Sequence, residues 1–240
     1  MGCDIHLYVE KRNADGTWVA VDKFVRDEAD EPGEKGRLGV DYRTQIYSGR
    51  NYNLFAMLAD VRNGRGFAGI KTGEGFVPIA EPRGVPDDAS PEFKEIVEQW
   101  GCDGHSHSHH TLRQLLDYDW PQVSNLQGWV DAVSWAKWSR YDRGQRQGPH
   151  NYCGSVSGQG IKHVSAGEMD KLLEPVAKTY SPERETFAEQ HSNVYALADW
   201  TEPYYQAAGG FFSKCISQLL KIAGGVSGVD DVRIVFLFDN

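Results

Sequence analysis

The last stretch of the chain, Val232-Arg-Ile-Val-Phe-Leu-Phe238, is apolar at every position but one. A run this short and this rich in β-branched and aromatic residues reads as a buried strand. A buried strand needs hydrogen-bonding neighbours and apolar cover, so the rest of the chain has to supply a sheet. The opposite end offers one. Residues 5–12 alternate polar and apolar, residues 13–16 close with the Asp15-Gly16 turn signal, and residues 17–24 alternate again. That pattern predicts a β-hairpin.

Other segments carry helical spacing and helix end signals. Residues 53–62 place Leu54, Met57, Leu58 and Val61 on one side, with Asn53 as the expected N-cap and Asn63-Gly64 as the stop. Ser90-Pro91 opens a helix that runs to Trp100 and stops at Gly101. Thr111 caps a helix over residues 112–117, and residues 125–140 read as an aromatic helix. Ser165-Ala-Gly-Glu168 is a capping box ahead of a helix ending near Glu174-Pro175. A long helix is expected from Thr201-Glu-Pro203 to Ile222, interrupted at Gly209-Gly210 and closed by Gly224-Gly225. The inner glycine pair would let two copies pack closely, so a homo-oligomer is expected. Residues 26–37, 64–89 and 141–160 read as loops. Neither a repeat nor a linker divides the chain. The expected fold is α+β, one domain over residues 1–240. Its mixed or antiparallel sheet holds the N-terminal hairpin and the C-terminal strand, packed with several helices.

Acidic side chains number 34 against 25 basic ones, a formal charge of −9 over 240 residues. Such a balance argues against duplex nucleic acid as a partner. No run approaches the length of about 18 apolar residues that a spanning helix needs, so no membrane partner is expected. The first residues lack the basic-then-apolar pattern of a secretory signal. Cys3, Cys102, Cys153 and Cys215 form no C-x-x-C pair and read as reduced thiols of a cytoplasmic protein. The acidity is uneven. Residues 43–71 carry +4 and residues 139–163 carry +3, leaving −16 for the remainder. Those two basic islands leave room for one small anionic ligand.

Six sets of residues bear on chemistry. In an extended chain Asp4 and His6 project to one face, a spacing with which a carboxylate and an imidazole meet one metal ion, or with which Asp fixes a His tautomer. A polar hairpin edge is the plainer reading. Four of the eight histidines lie in residues 105–110. Alternation would put His105, His107 and His109 on one face, where with Cys102 or Asp103 they could ligate zinc; otherwise they form a polar loop. Arg50, Asn51, Tyr52 and Asn53 precede or open a helix, a setting for a phosphate or carboxylate, or for an ordinary cap and ion pair. Residues 139–163 bring Arg140, Arg143, Arg146 and Lys162 together with Tyr141, His150 and Tyr152, which could stack on a base; a Gly-rich exposed loop is the alternative. Asp239 puts a carboxylate at the end of the buried strand. Two H-x-[ST] tripeptides, His109-His-Thr111 and His163-Val-Ser165, are similar to the paired elements of two-histidine phosphoesterases, although helix capping also explains Thr111 and Ser165.

Met1-Gly-Cys-Asp-Ile-His6, Ser48-Gly-Arg-Asn-Tyr-Asn-Leu-Phe-Ala-Met-Leu-Ala-Asp-Val-Arg62, Glu81-Pro-Arg-Gly-Val-Pro-Asp-Asp-Ala-Ser90, His107-Ser-His-His-Thr-Leu-Arg-Gln-Leu115 and Arg233-Ile-Val-Phe-Leu-Phe-Asp-Asn240 span the chain. In these motifs the chain resembles a family of uncharacterised, mainly bacteriophage-encoded proteins that begin with MGCDIH. The resemblance implies no assigned chemistry. By analogy, phage accessory proteins of this size include counter-defence factors that cleave or sequester nucleotide messengers of bacterial immunity. The expected function is therefore a phosphodiesterase-like hydrolase of a cyclic nucleotide. Asp4, His6, His107 and His109 would supply acid and base or hold a divalent ion (Zn, Mn or Mg). Arg50, Asn51, Tyr52, Asn53, Arg140, Arg143, Arg146 and Asp239 would bind a small phosphorylated nucleotide. The alternative is a non-catalytic binder that sequesters a nucleotide or a host protein.

Overall fold

The computed structural model describes residues 2–29, 35–66, 69–141, 148–177 and 181–239. In chain order these form β1 (Asp4–Arg12), β2 (Trp18–Ala20), β3 (Phe24–Arg26), β4 (Leu38–Val40), α1 (Tyr52–Ala59), α2 (Pro91–Trp100), β5 (His105–Thr111), α3 (Leu112–Asp117) and β6 (Val123–Asp131). Then come α4 (Ala132–Tyr141), β7 (Lys162–Val164), α5 (Ala166–Leu173), α6 (Ser181–Glu189), β8 (Val194–Pro203), α7 (Tyr204–Ala207), α8 (Ile216–Ala223) and β9 (Val232–Asp239). The fold is α+β. Among the described residues no helix is long and apolar enough to cross a membrane, and none of the four cysteines is in a disulfide.

Contacts group the chain into two compact units, where the sequence, lacking a linker, reads as one domain. The first unit comprises the segment ending at Val61, Val77–Asp119, and the segment from Ala208 onward; the second comprises Arg62–Phe76 and Trp120–Ala207. Each unit is assembled from segments distant in sequence, so no composition shift marks a boundary.

The first unit is built on an antiparallel sheet in the order β2-β1-β9-β5. The apolar C-terminal segment is its central strand. It pairs with β1 from Asp4↔Asp239 to Lys11↔Val232, and with β5 from His105↔Phe238 to Thr111↔Arg233. All residues from Val232 to Phe238 are buried. Both faces are therefore covered. On one face Tyr8, Val235 and Leu237 pack with Phe93 and Ile96 of α2, and with Leu38 and Ala89. On the other, Phe238 meets Phe55 of α1 edge-on at 5.1 Å, and His110 reaches the Leu58 carbonyl. Each large apolar side chain buried this way contributes about 1.5–3 kcal/mol.

Far along the same strands, Glu10 and Arg233 face each other across the ladder, both buried. Arg233 Nε donates to Glu10 Oε2 at 2.7 Å and Nη1 to Asp88 at 2.8 Å. The Ser90 N–H donates to Glu10 Oε1 at 2.8 Å, and the Trp18 ring lies 3.9 Å from the guanidinium carbon. This network leaves neither charge bare.

In the second unit β8 lies between β6, antiparallel to it, and β7, parallel to it. One face is buried by Trp135 and Trp138 of α4, with Trp138 against Trp200 at 6.3 Å.

Local reading and structure agree at three helix starts. Ser90 accepts from the Phe93 N–H, and Thr111 and Ser165 each form a reciprocated capping box. Three expectations need correction. The first half of the expected helix over residues 125–140 is strand: Leu126, Gly128 and Val130 are buried alternately, and helix starts only at Ala132, where Asp131 accepts from the Ser134 N–H. Thr201-Glu-Pro203 ends β8 and opens no long helix, because its register with β6 runs through Val123↔Pro203. The chain then makes a short turn of helix, breaks at Gly209 (φ 55°), and resumes through a π-helical turn into α8, so the glycine pair does not lie inside one continuous helix. Finally, α1 is capped by Asn51, whose side chain accepts from the Leu54 N–H, and not by Asn53.

Candidate functional site

At one rim of the first sheet β1 begins, β9 ends and β5 begins. Side chains alternate along a strand, so Asp4 and His6 share a face with their register partners Asp239 and Leu237. His6 Nε2 lies 3.6 Å from Asp239 Oδ2, with the two side chains 24% and 21% exposed. The other carboxylate oxygen, Oδ1, accepts the Asp4 N–H at 3.0 Å, which fixes the Asp239 side chain. The last residue of α2, Trp100, lies against the His6 ring, centroids 4.2 Å apart, and the Arg37 guanidinium sits 4.9 Å from the Trp100 ring. Burial pulls the His6 pKa below its ordinary value, against the raising influence of Asp239 and Asp4. The ring is thus a neutral base near pH 7.

Arg50 reaches the same rim. Its Nε lies 3.1 Å from Asp4 Oδ1, and its Nη2 donates to the Tyr52 hydroxyl at 3.0 Å. The Cys3 N–H also points at that hydroxyl, at 3.3 Å. Half the Arg50 side chain is exposed. Asn51 is committed to the α1 cap, and Asn53 lies in the first turn of α1.

The histidine run does not present one face. A bulge between His105 and Ser108, with Ser106 at φ 49°, breaks the alternation. His105 pairs with Phe238 and stacks over it at 6.0 Å, on the face opposite His6. His107 is on the His6 face: a Cβ at Gly104 would lie 3.1 Å from Trp100 Cβ, 3.4 Å from His107 Nε2 and 3.5 Å from Leu237 Cδ1. His6 and His107 therefore flank Leu237, on strands about 10 Å apart. His109 pairs with Val235, one step further from the rim, where burial and then Arg83 and Arg233 lower its pKa. The run also contains a structural histidine. His110 donates from Nε2 to the Leu58 carbonyl at 2.7 Å and takes Arg83 Nη2 on Nδ1 at 2.9 Å.

His6 Nε2, His105 Nε2, His107 Nε2 and His109 Nδ1 are buried and make no hydrogen bond. Each such atom costs about 1–3 kcal/mol, so four on two nearby strands call for a ligand or water. Among the described residues no three His, Cys, Asp or Glu side chains gather to hold a metal ion. Asp4, His6, His107 and His109 thus supply no closed donor set for the expected divalent ion.

The basic loop gives less. Arg140 belongs to α4 of the second unit, and Arg143 and Arg146 lie outside the described residues. Tyr152 packs edge-on against Trp200 at 4.7 Å, and His163 lies against Trp129 at 4.4 Å. The Thr111 and Ser165 hydroxyls are both occupied by caps and sit in different units. Trp100 and Arg37, absent from the sequence-based set, complete the wall behind His6. Trp100 was legible only as a helix end, and Arg37 only as part of a charged loop. No protein-family model, curated protein or solved structure matches this chain.

Proposed function

We propose that the rim made by Asp4, His6, Asp239, Arg50 and His107 binds a small phosphorylated nucleotide and hydrolyses a phosphodiester bond in it, as a counter-defence enzyme acting on a cyclic nucleotide messenger would. The observation that carries this reading is the close approach of His6 Nε2 to Asp239 Oδ2 beside the Asp4–Arg50 pair. The Asp239 carboxylate, 3.6 Å from Nε2, draws the ring proton to that nitrogen by charge, which leaves Nδ1 as the base. His6 Nδ1 takes a proton from water as the water oxygen bonds to phosphorus. The bond from phosphorus to the leaving oxygen breaks, His107 Nε2 hydrogen-bonds that oxygen, and solvent returns a proton to it. Arg50 offsets the charge on the phosphate oxygens. The products are a phosphomonoester and an alcohol.

The test is incubation with cyclic dinucleotides, cyclic ADP-ribose isomers and linear nucleotides, with and without EDTA, followed by denaturation and chromatography. Hydrolysis that persists in EDTA and is lost in His6→Ala is expected. Binding with recovery of intact nucleotide after denaturation would make the protein a sequestering binder. Cleavage by His6→Ala at the wild-type rate would remove the His6–Asp239 pair from the chemistry.

A further inference from the structure

The Arg50 guanidinium, on a half-exposed side chain, meets three neighbours. Asp4 holds Nε at 3.1 Å and the Tyr52 hydroxyl holds Nη2 at 3.0 Å. The third is the bare Cα of Gly2: a Cβ built there would collide with Nη2 and lie 3.0 Å from Cζ and 3.5 Å from Nη1. The guanidinium therefore occupies the volume that any side chain at position 2 would fill. An arginine otherwise samples many rotamers, and holding it in one pose removes the side-chain part of the entropy cost of meeting an anion.

We propose that Gly2 is a positioning residue for Arg50, and that the bare backbone at position 2 keeps the guanidinium oriented for an oxyanion of the ligand. This rests on the proposed binding of a phosphorylated nucleotide at the rim. A methyl group at position 2 would push Nη2 off the Tyr52 hydroxyl, and the guanidinium, at the end of a flexible half-exposed side chain, would swing away. Gly2 and Arg50 both lie at the surface, so displacing the guanidinium leaves the sheet intact.

The experiment uses the full chain as Gly2→Ala, with Arg50→Lys to assign the Arg50 Nε–H resonance and Gly167→Ala as the control. A Cβ at Gly167 has nothing within 4 Å. In Gly2→Ala the Arg50 Nε–H resonance should move and exchange faster with water. Affinity for inorganic phosphate and for cyclic di-GMP should fall about tenfold. Thermal stability should stay at the wild-type value, and Gly167→Ala should change none of these. An unmoved resonance overturns the proposal. So does a moved resonance with unchanged affinity. Were the wild-type protein to bind neither probe, the functional reading would fall, while the resonance alone would still decide whether Gly2 seats Arg50.

Discussion

The β1–β9 pair carries a polar cluster at each end, and the two ends are finished differently. At the Glu10–Arg233 end every charge has partners: two carboxylates and an indole face for the arginine, and a backbone N–H for Glu10. At the Asp4–Asp239 end the carboxylates are held, but the imidazole of His6 faces Asp239 at 3.6 Å without a hydrogen bond, and His107 Nε2 has no partner. The rim thus differs from the Glu10–Arg233 end in hydrogen bonding: one cluster is closed, and the other leaves the His6 and His107 Nε2 atoms without a hydrogen bond. A purely structural rim would close its hydrogen bonds, or carry apolar residues as the middle of β9 does.

The largest effect should come from breaking the finished end. Arg233→Met leaves the Glu10 charge buried without its cation, held only by the Ser90 N–H, and should cost about 3–5 kcal/mol, read as a lowered urea midpoint. Glu10→Gln combined with Arg233→Met should recover part of that loss. A single-variant cost below about 1 kcal/mol would undo the contrast. At the other end, Asp239→Asn should lower hydrolysis about 10²–10⁴-fold while the melting temperature changes little, because the side chain is at the rim. A variant that unfolds as readily as Arg233→Met would make the two ends alike.

Histidine ionisation sharpens the comparison further. Burial lowers the His110 pKa from 6.5 to about 4. The unfolded chain thus binds a proton that the folded chain refuses. The stabilisation this supplies is complete above pH 6.5 and is lost as pH falls from there towards about 4. The loss is on the order of 3 kcal/mol. A stability profile by urea titration should show this slope, and His110→Gln should flatten it. The smallest effect separates cap from ligand contact. Asn51→Ala should cost about 1 kcal/mol of stability, whereas Asn53→Ala should cost less than about 0.5 kcal/mol. Reversed costs would restore Asn53 as the cap.

How much of this was legible depends on range. Ser90, Thr111 and Ser165 mark their helices because a cap is a contact three residues long. The central strand is legible because seven consecutive positions are buried on both faces. β6 is not, because Leu126, Trp129 and Val130 suit either period, and only pairing with β8 decides between them. At the site, Asp4 and His6 are legible from a two-residue spacing, and Asp239 from its place at a strand end. Trp100 and Arg37 are not, since each meets its neighbour across dozens of residues of chain. Nor does any residue type announce the left-handed Ser106 that turns His105 away.

The pairing of Asp4 with Asp239 has a consequence for biosynthesis. The strand at the centre of the sheet is the last one made. At about 5–20 residues per second, β1 and β2 wait on the order of ten seconds or more, with one edge open, before β9 arrives to fill the gap between them and β5. Until then Leu7 and Val9 have no sheet partner on that side, and the emerging chain offers an unpaired edge to any neighbour. A ribosome that stalls in the last turn of α8 would therefore release a chain lacking both its sheet's centre and Asp239, exposed to aggregation and to proteases at once.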